Sequence, residues 1–500
     1  MAQISFNVLF DWDGSGTFSF NESDYVELIS GDESMSPPGE SSFSGSGFIS
    51  EINIDLINSA SRFSTTNSSS PIYSYIANGA FLQKRVRVEV TLNGNTFTIF
   101  RGFIKSMSET FRDFKSIGKV KVKCRSQDDI IKNMQISTLA STTRLAIKEQ
   151  YDEGTLISLI LSNAGLTNGV HFRNQDYVLI TPTIDRGLFT IPYFWLEKES
   201  PIEDAWLLAA ACGGRFFFNS ENGMFYYKNA YGYGKDRSAT SQATINEDNC
   251  IGIDYIDNDG DLIASTSFTT RTRYITEEKE VWTSEKPVRV QPLQSLTMNC
   301  ETSNPIVDIS EFTFDATSAA GNAIASGISV QINAVYAKEI NITIVNTTER
   351  IVFLRNFAAI GRLLEPLDNI EYARTSDASF WSSRKGAEKK ISNNPYVQTN
   401  AQAKAIADLT LDRQSIFTPK LSVKKYKSST FLRIGDLVTV YVAGKINSTF
   451  LITKSRFNLS KSGFYQDFDL ISAGGIYGLQ TGNYFIIGTH SMDNNKKLFY

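Results

Sequence analysis

The sequence predicts a mainly β protein with two similar β-barrel domains and a small α+β insert. Runs in which apolar and polar residues alternate recur along most of the chain, and glycine and asparagine turns separate them. Aromatic residues make up 12% of the chain, and Thr, Ile and Val are plentiful. This composition favours strands over helices. An internal repeat of strands is the third observation behind the prediction.

Two distant stretches share one pattern of strands and turns. They are Phe81–Met107 and Phe431–Phe457, and each has a Phe-Leu start, an alternating strand, a glycine turn and a second strand. A third alternating strand follows each of them, at Gly118–Cys124 and Phe464–Ser472. Chance resemblance between β-rich segments is the alternative to a duplication.

The repeat has a consequence for symmetry. Its alignment equates Lys105–Ser106 with Lys454–Ser455 in the second strand of each copy. If the duplication is real, each chain carries two similar barrels and a trimer would present six similar units. Such a trimer could join a sixfold partner to a threefold one.

Length and charge limit the classes of protein to consider. A chain of 500 residues is too long for one ordinary core, so two to four domains are expected. The net charge of −4 includes no long basic block, so we expect no sequence-specific nucleic-acid binding. Four cysteines are scattered without a CxxC pair, which predicts reduced and buried thiols rather than a disulfide framework or a zinc site.

Hydropathy gives no sign of a membrane segment. No apolar stretch approaches the length of a membrane span, and the N-terminus lacks a basic region followed by an apolar run. We therefore expect a soluble protein that is made without a signal peptide and that does not insert into a membrane.

Composition and pattern divide the chain into five parts. The expected domains are a first β-barrel over 1–125 that is completed by about 250–295, an α+β insert over 126–249, a middle β-rich domain over 296–398, a helix with the second β-barrel over 399–474, and a C-terminal tail over 475–500.

The insert contains the clearest helix signal in the chain. Ser200 is placed as an N-cap, Pro201 follows at the first helical position, Glu203 completes a capping box and Gly213 ends the helix. A hairpin over Arg215–Asn229 is predicted directly after it. A second helix is expected over Leu156–Gly165, and a third over Asn400–Asp412 before the second barrel.

Two polar segments of the N-terminal region predict loops. Gly31–Gly47 is dense in Ser, Gly and Pro, and Arg62–Pro71 is rich in Ser, Thr and Asn. We expect both loops to face partners.

Catalytic motifs have little support, and we expect no enzyme activity. The two histidines, His171 and His490, lie beside no nucleophile motif and are predicted to be surface residues. The acidic pairs Asp128–Asp129 and Glu203–Asp204 fall in first helical turns, where carboxylates complement the helix dipole. A general acid and base is the alternative interpretation of each pair.

One stretch fits a calcium-binding loop, with a glycine at its sixth position. Its candidate ligands are Asp11, Asp13, Ser15, Thr17, Ser19 and Glu22. The flanks do not fit, because a strand precedes the loop and no convincing helix follows it. A glycine-rich hairpin turn explains the same residues, so we expect no cofactor and keep calcium as the alternative.

An aromatic cluster at Phe225–Gly234 could bind sugars. Cross-strand pairs in a hairpin explain most of these aromatic residues equally well.

The N-terminal block resembles the opening of phage minor tail and tail-hub proteins, a family also found in contractile injection systems. In that family an Asp-Trp turn follows a strand, and a fixed order of short motifs comes after it. The matching residues are Asp11–Gly16, Ile54–Asn58, Arg62–Ser64, Pro71–Tyr73, Arg85–Val90 and Phe100–Ile104. The resemblance is good over Val8–Met107 and fair over Ile202–Asn229 and Leu432–Ser472.

This resemblance implies a structural role. Such proteins form a trimeric ring at the distal end of a phage tail, where two barrels per subunit make a pseudo-sixfold collar. The implied partners are two further copies of the chain, a hexameric tail tube or distal tail protein, a threefold spike or central fibre, and, as a further candidate, the tape measure protein. The implied location is the virion, after assembly in the host cytoplasm, and the ring would close the tube until genome ejection.

The residues expected in the ring form strands rather than a site. The interface candidates are Arg85, Val86, Val88, Val90, Leu437, Val438, Val440 and Val442.

Two other functions are kept as alternatives. One is a host-receptor adhesin with a carbohydrate groove near Phe225–Gly234, and the other is a cell-wall hydrolase. Long members of the family carry a C-terminal peptidase, fibre or sugar-binding extension, for which Gly474–Tyr500 is too short. We therefore expect any such activity to belong to another polypeptide.

Overall fold

The structure is a computed structural model, and it describes most of the chain. The described residues are 4–34, 49–110, 118–126, 146–164, 183–196, 201–219, 224–229, 241–256, 263–367, 370–375, 387–391, 394–414, 420–427, 430–472, 484–485 and 497–498.

Strands dominate the described chain, which confirms the mainly β fold class. The N-terminal region contains β1 (Ile4–Phe10), β2 (Phe20–Asn21), β3 (Val26–Ser34), β4 (Ile49–Asn58), helix α1 (Tyr73–Ile76), β5 (Arg85–Leu92), β6 (Asn95–Thr110) and β7 (Gly118–Arg125). Short 3-10 turns lie at Ser23–Tyr25, Ser59–Ser61 and Ala77–Gly79. We call these seven strands module A.

The insert mixes short strands with two helices. Its elements are β8 (Lys148–Asp152), α2 (Glu153–Asn163), β9 (Thr183–Ile184), β10 (Thr190–Phe194), α3 (Pro201–Ala211), β11 (Arg215–Asn219) and β12 (Met224–Lys228). Helix α3 begins at Pro201, and β11 pairs antiparallel with β12 as the predicted hairpin requires. The turn of that hairpin lies outside the described residues.

Most elements of the rest of the chain are also strands. They are β13 (Ala243–Ile245), β14 (Gly252–Ile256), β15 (Ile263–Thr270), β16 (Arg273–Ile275), β17 (Lys279–Thr283), β18 (Val288–Val290), β19 (Ser295–Glu301), β20 (Ile306–Ser318), β21 (Ile328–Val335), β22 (Glu339–Asn346), β23 (Val352–Pro366), β24 (Ile370–Thr375), β25 (Ala387–Ile391), α4 (Asn400–Gln414), β26 (Lys420–Tyr426), β27 (Leu437–Val442), β28 (Ile446–Ser460), β29 (Gly463–Ser472), β30 (Tyr484–Phe485) and β31 (Lys497–Leu498). We call β13, β14 and β26–β29 module B.

One 13-stranded sheet contains both modules. Its main order is β14-β26-β29-β28-β3-β4-β7-β6-β5-β1-β2. Two further strands branch from this order: β27 pairs with the first part of β28, and β13 pairs with β27. Alternation builds these strands: in β5, Val86, Val88, Val90 and Leu92 are buried while the residues between them are partly exposed. Strands from the N-terminal region and strands from residues 420–472 therefore meet in one sheet.

The middle region forms separate sheets. Strands β16, β17, β18 and β20 all pair with the long β23, and β19-β22-β21 forms a second sheet that shares its hydrophobic core. In β22, Ile340, Ile342 and Ile344 are buried at alternate positions. A third sheet, β24-β15-β25, lies beside helix α4.

Three expectations about organisation are wrong. Residues 250–295 do not complete the first barrel, because β14 pairs with β26 of module B. Helix α4 packs into the core of the insert through Ala403, Ile406 and Ala407, rather than into the second barrel. The predicted loop Gly31–Gly47 begins within a strand, since β3 extends to Ser34; its remainder lies outside the described residues.

The cysteine prediction is largely confirmed. All four thiols are free; Cys124, Cys212 and Cys300 are buried, and Cys250 is partly exposed. Burial raises the pKa of the Cys300 thiol to about 12, so this thiol stays protonated at neutral pH. In the part of the chain that the structure describes, none of the helices has the length and apolar character that a membrane crossing requires.

Candidate functional site

The two modules have the same strand order. Module A follows β3-β4-β7-β6-β5-β1, and module B follows β14-β26-β29-β28-β27-β13. All neighbouring pairs of module A are antiparallel, including β1 with β5. The pairs of module B are also antiparallel, with one exception: β13 runs parallel to β27. The duplication predicted from the sequence is therefore present in the topology.

The register of the pairing is also shared. Strands β6 and β7 place Ile104 opposite Cys124, and strands β28 and β29 place Ile452 opposite Leu470. Each ladder shifts by one residue directly after its isoleucine. A β-bulge is a local irregularity that occurs at particular positions in a sheet. Its presence at the same place in both ladders therefore supports the equivalence of the two modules.

The same isoleucine is held in the same way in both modules. The amide of Ile104 donates a hydrogen bond to the carbonyl oxygen of Lys84 at 2.9 Å, and the amide of Ile452 donates to that of Asp436 at 3.0 Å. These bonds fix Ile104 and Ile452 as equivalent positions.

This equivalence corrects the alignment made from the sequence. That alignment equated Lys105–Ser106 with Lys454–Ser455, but Ser106 and Lys454 occupy equivalent positions, one step beyond the bulge. The sequence alignment is wrong by one residue because it matched Lys105 to Lys454. In the structure Lys105 is equivalent to Thr453, and both are the extra residue of a β-bulge.

The modules meet where β28 pairs antiparallel with β3, which we call the junction. The first half of β28 pairs with β27 of its own module, while Lys454–Leu459 in its second half pairs with Ile29–Ser34 of module A. Backbone hydrogen bonds therefore continue across the junction, which joins two modules into one sheet.

Aromatic side chains fill the junction. The ring of Phe457 lies against Gly31, where a Cβ would approach within 2.2 Å of two ring atoms. Phe431 packs against Phe457 and Phe464, with ring centroids 5.8 and 5.9 Å apart. All three phenylalanines belong to the hydrophobic core of module A, although they come from the C-terminal part of the chain.

A buried ion pair lies beside these rings. Glu33 and Arg433 have only 4% and 9% of their side chains exposed, and Nη1 of Arg433 lies 3.7 Å from Oε1 of Glu33. Ser50 also donates to Glu33 at 3.3 Å, and Arg433 donates to the carbonyl oxygen of Thr98. The arginine therefore ties module B to two strands of module A.

The exposed side of the junction carries weaker ion pairs. Lys454 and Arg456 of β28 lie 3.2 and 3.8 Å from the carboxylate of Asp32 in β3. Pairs that are exposed to solvent contribute little stability. The aromatic rings and the buried pair therefore dominate the junction.

The predicted interface residues lie in the module walls. Six of the eight, Val86, Val88, Val90, Leu437, Val438 and Val440, are buried in the module cores, while Arg85 and Val442 are partly exposed. Whether these strands take part in a contact between copies of the chain stays a prediction. The sequence analysis missed the junction residues because the contacts between the two modules join positions that are 335 or more residues apart.

The predicted partner-facing segment Arg62–Pro71 also makes internal contacts. Phe63 and Ser64 are buried, and Arg62 donates two hydrogen bonds of 2.9 Å to Glu22. Whether a partner binds this segment stays a prediction.

The calcium candidates form a hydrogen-bonded turn. Both oxygens of Glu22 accept from Arg62, and Oε1 also accepts from Trp12 at 3.3 Å. Asp11 accepts a hydrogen bond from the amide of Gly16 at 3.1 Å. Asp13 accepts from the amide of Ser15, whose hydroxyl lies 2.7 Å from that of Thr17. Ser19 is exposed. Burial is the main cause that raises the pKa of the Asp11 carboxyl.

Calcium binding at this turn stays a prediction. The bonds to Arg62 mean that an ion could reach Glu22 only by displacing a guanidinium. Across the described ranges, no three His, Cys, Asp or Glu side chains come together as they would around a metal ion.

Other candidate residues are only partly described. His171, His490 and Asp128–Asp129 lie outside the described residues, as does the second half of the aromatic cluster. In its first half, Phe225 and Tyr227 are buried in the insert core. Asp204 is buried and accepts a hydrogen bond of 2.5 Å from Tyr396, which gives this carboxylate a structural contact.

Comparison with known proteins finds likeness in solved structures only. No protein-family model matches the chain, and no curated protein matches it. The chain is similar to a tail protein from Neisseria meningitidis MC58, with 10% identity, a TM-score of 0.49, and coverage of 94% of this chain and 97% of that chain. It is similar to the 43 kDa tail protein of prophage MuSo2 from Shewanella oneidensis, with 10% identity, a TM-score of 0.49, and coverage of 95% and 99%.

A third likeness is to an E. coli protein described as a component of the type VI secretion system. The identity is 10% and the TM-score is 0.38, over 90% of this chain and 73% of that chain. The solved structures that resemble this chain thus include two tail proteins and one component of a secretion system.

Proposed function

We propose that this protein is a structural hub at the distal end of a phage tail or of a phage-derived injection device. Three copies would form a ring that joins the sixfold tail tube to a threefold spike or central fibre. The ring would close the tube until the spike or fibre is displaced and the genome is ejected. The proposed role is mechanical and non-catalytic, and its place is the virion.

The observation that carries this proposal is the duplicated module. One chain presents two modules with the same strand order, register and bulge, and the junction fixes one against the other. Three such chains around a threefold axis would present six similar modules, which a sixfold partner can contact. The ordered N-terminal motifs, from Asp11–Gly16 to Phe100–Ile104, support the same family.

Mass and electron microscopy test the proposal. We expect light scattering to give a mass three times that of one chain, and class averages to show threefold rings with a pseudo-hexagonal outline. A monomer at every concentration up to that used for microscopy would contradict the ring.

A further inference from the structure

The second half of β6 has an edge that no described strand covers. Strand β5 pairs with β6 only as far as Phe103, and Gln83 and Lys84 bond the next residue, Ile104. Over Ser106–Thr110, the only pairing within the described ranges is with β7. A row of unpaired backbone groups on an edge strand is a template for another strand.

Module B shows what covers the equivalent edge. Its second half of β28, Lys454–Leu459, follows the same bulge and pairs with β3 at the junction. The difference is visible in exposure: Ser455 and Phe457 are buried in β28, whereas the equivalent Met107 and Glu109 of β6 are partly exposed. Among the described residues, one of the two equivalent edges is therefore paired and the other is not.

The strand equivalent to β3 is β14, and no described strand pairs with its outer edge either. Tyr255 lies opposite Leu421 of β26, just as Gly31 of β3 lies opposite Ile52 of β4. Within the part of the chain that is described, β14 pairs with β26 alone. Tyr255 is 52% exposed on this strand.

We propose that β14 of one copy pairs antiparallel with the second half of β6 in the next copy, as β3 pairs with β28 within each chain. This inference rests on the ring proposed above and names the contact that closes it. Three copies would then contain six strand junctions, three within chains and three between them. The contact is head-to-tail, because two different edges meet, and such contacts form rings when the rotation closes.

The internal junction also gives the register. Phe457 lies opposite Gly31 and Asn458 opposite Ser30. Transferred to the equivalent positions, Glu109 lies opposite Tyr255 and Thr110 lies opposite Asp254.

The junction within the chain and the proposed contact between copies differ in which strand supplies the large side chain. At the internal junction the large residue, Phe457, comes from the long strand and packs over Gly31. Between copies the large residue would be Tyr255 of β14, and it would cover Glu109. Asn58 already donates to Oε1 of Glu109 at 2.6 Å, which holds the carboxylate in position for the tyrosine hydroxyl. A more polar junction suits a contact that forms after each chain has folded.

Paired cysteines test this register in the full chain. Glu109→Cys and Tyr255→Cys are combined, as are Thr110→Cys and Asp254→Cys, in a Cys250→Ser background that removes the one partly exposed native thiol. Directly opposite residues of antiparallel strands lie within disulfide distance. Oxidation is expected to shift most of the chain from the monomer position to dimer and trimer positions on a denaturing gel, and no further.

The matched control combines Glu109→Cys with Ile251→Cys. Ile251 is 68% exposed but lies four residues from Tyr255, about 13 Å along the strand, so no cross-link is expected. Mixing the Glu109→Cys and Tyr255→Cys single variants should give only dimers that contain one of each chain. Cross-linking of Glu109→Cys alone would mean that two β6 edges meet, which overturns the proposal.

The outcomes separate this inference from the proposed function. A trimer by light scattering without cross-links at either pair overturns the β14–β6 contact and leaves the ring in place. A protein that remains monomeric and does not cross-link overturns both. A trimer that cross-links at the predicted pairs, but not at the control pair, supports both.

Discussion

Glu33 lies at the junction, and the burial of its carboxylate shows which contacts hold the two modules together. Its carboxylate is buried between two modules and is balanced by Arg433 and Ser50. Removing a charge from water is costly unless a partner of opposite charge and further hydrogen bonds compensate. The pair therefore makes the position of module B depend on a few polar contacts, because an unpaired carboxylate there would be strongly unfavourable.

Arg433→Ala is expected to lower the free energy of unfolding by about 3–5 kcal/mol, because it removes the guanidinium that lies beside the buried Glu33 carboxylate. Urea unfolding followed by fluorescence measures the change. Arg289→Ala is the matched control, since Arg289 is exposed in β18, and its effect should stay within about 0.5 kcal/mol. Equal effects of the two variants would contradict a role for the buried pair.

Gly31→Ala tests the packing of Phe457 across the junction. The added Cβ would overlap the ring, so we expect a loss of about 1–3 kcal/mol in the free energy of unfolding. Gly252→Ala is the control, because a Cβ there meets nothing within 4 Å. The double variant with Phe457→Ala should cost less than the sum of the two single changes, because the overlap is then absent. Additive costs would contradict the contact.

At the scale of elements, local pattern predicted the strands well. The alternation in Arg85–Val90 and Leu437–Val442 is set by which face each strand buries, and the structure has strands at both places. Helix α3 begins at Pro201 because its N-terminal signals are also local. These signals need no knowledge of the rest of the chain.

Long-range pairing decided what the pattern could not show. The many glycine and serine residues around Gly31 predicted a loop, but Gly31 lies in strand β3. The ring of Phe457 occupies the space that a side chain at this position would fill. Helix α4 was predicted correctly as a helix, but its packing partner was predicted wrongly, because its apolar side chains pack in the core of the insert. Such choices depend on residues that are distant in sequence.

Glu153, at the start of α2, predicts a pH dependence of the insert. Its buried carboxylate accepts hydrogen bonds from the amides of Leu188 and Phe189, at 2.6 and 2.9 Å, and from the hydroxyl of Tyr227 at 3.2 Å. Burial is the largest influence and raises the pKa of this carboxyl above its ordinary value of 4.5. The protonated form is therefore favoured by folding.

The sign of the effect follows from that direction. The stability that the raised pKa contributes is fully present below pH 4.5 and is lost as pH rises through the folded-state pKa. Glu153→Gln does not titrate, so its deficit in the free energy of unfolding relative to wild type, about 1–3 kcal/mol at low pH, should shrink as pH rises through the folded-state pKa of Glu153. Urea unfolding at a series of pH values measures both proteins. A deficit that is constant with pH would contradict the assignment.

At the scale of the whole molecule, neither module has a separate core at the junction. Phe431, Phe457 and Phe464 come from the C-terminal part of the chain but pack with the strands of module A. Local stability should therefore be shared across the junction, because removal of apolar contacts on one side exposes amides on the other.

Two phenylalanines of module B separate this coupling from general destabilisation. Phe457 packs into the core of module A, whereas Phe468 is buried in that of module B. Each change to alanine should cost about 3–5 kcal/mol. Hydrogen exchange is expected to increase in β3 and β4 of module A for Phe457→Ala, and to remain confined to β26–β29 for Phe468→Ala. If both variants raised exchange in β3 and β4 equally, the junction would not be the connection between the modules, and the chain would unfold as one unit.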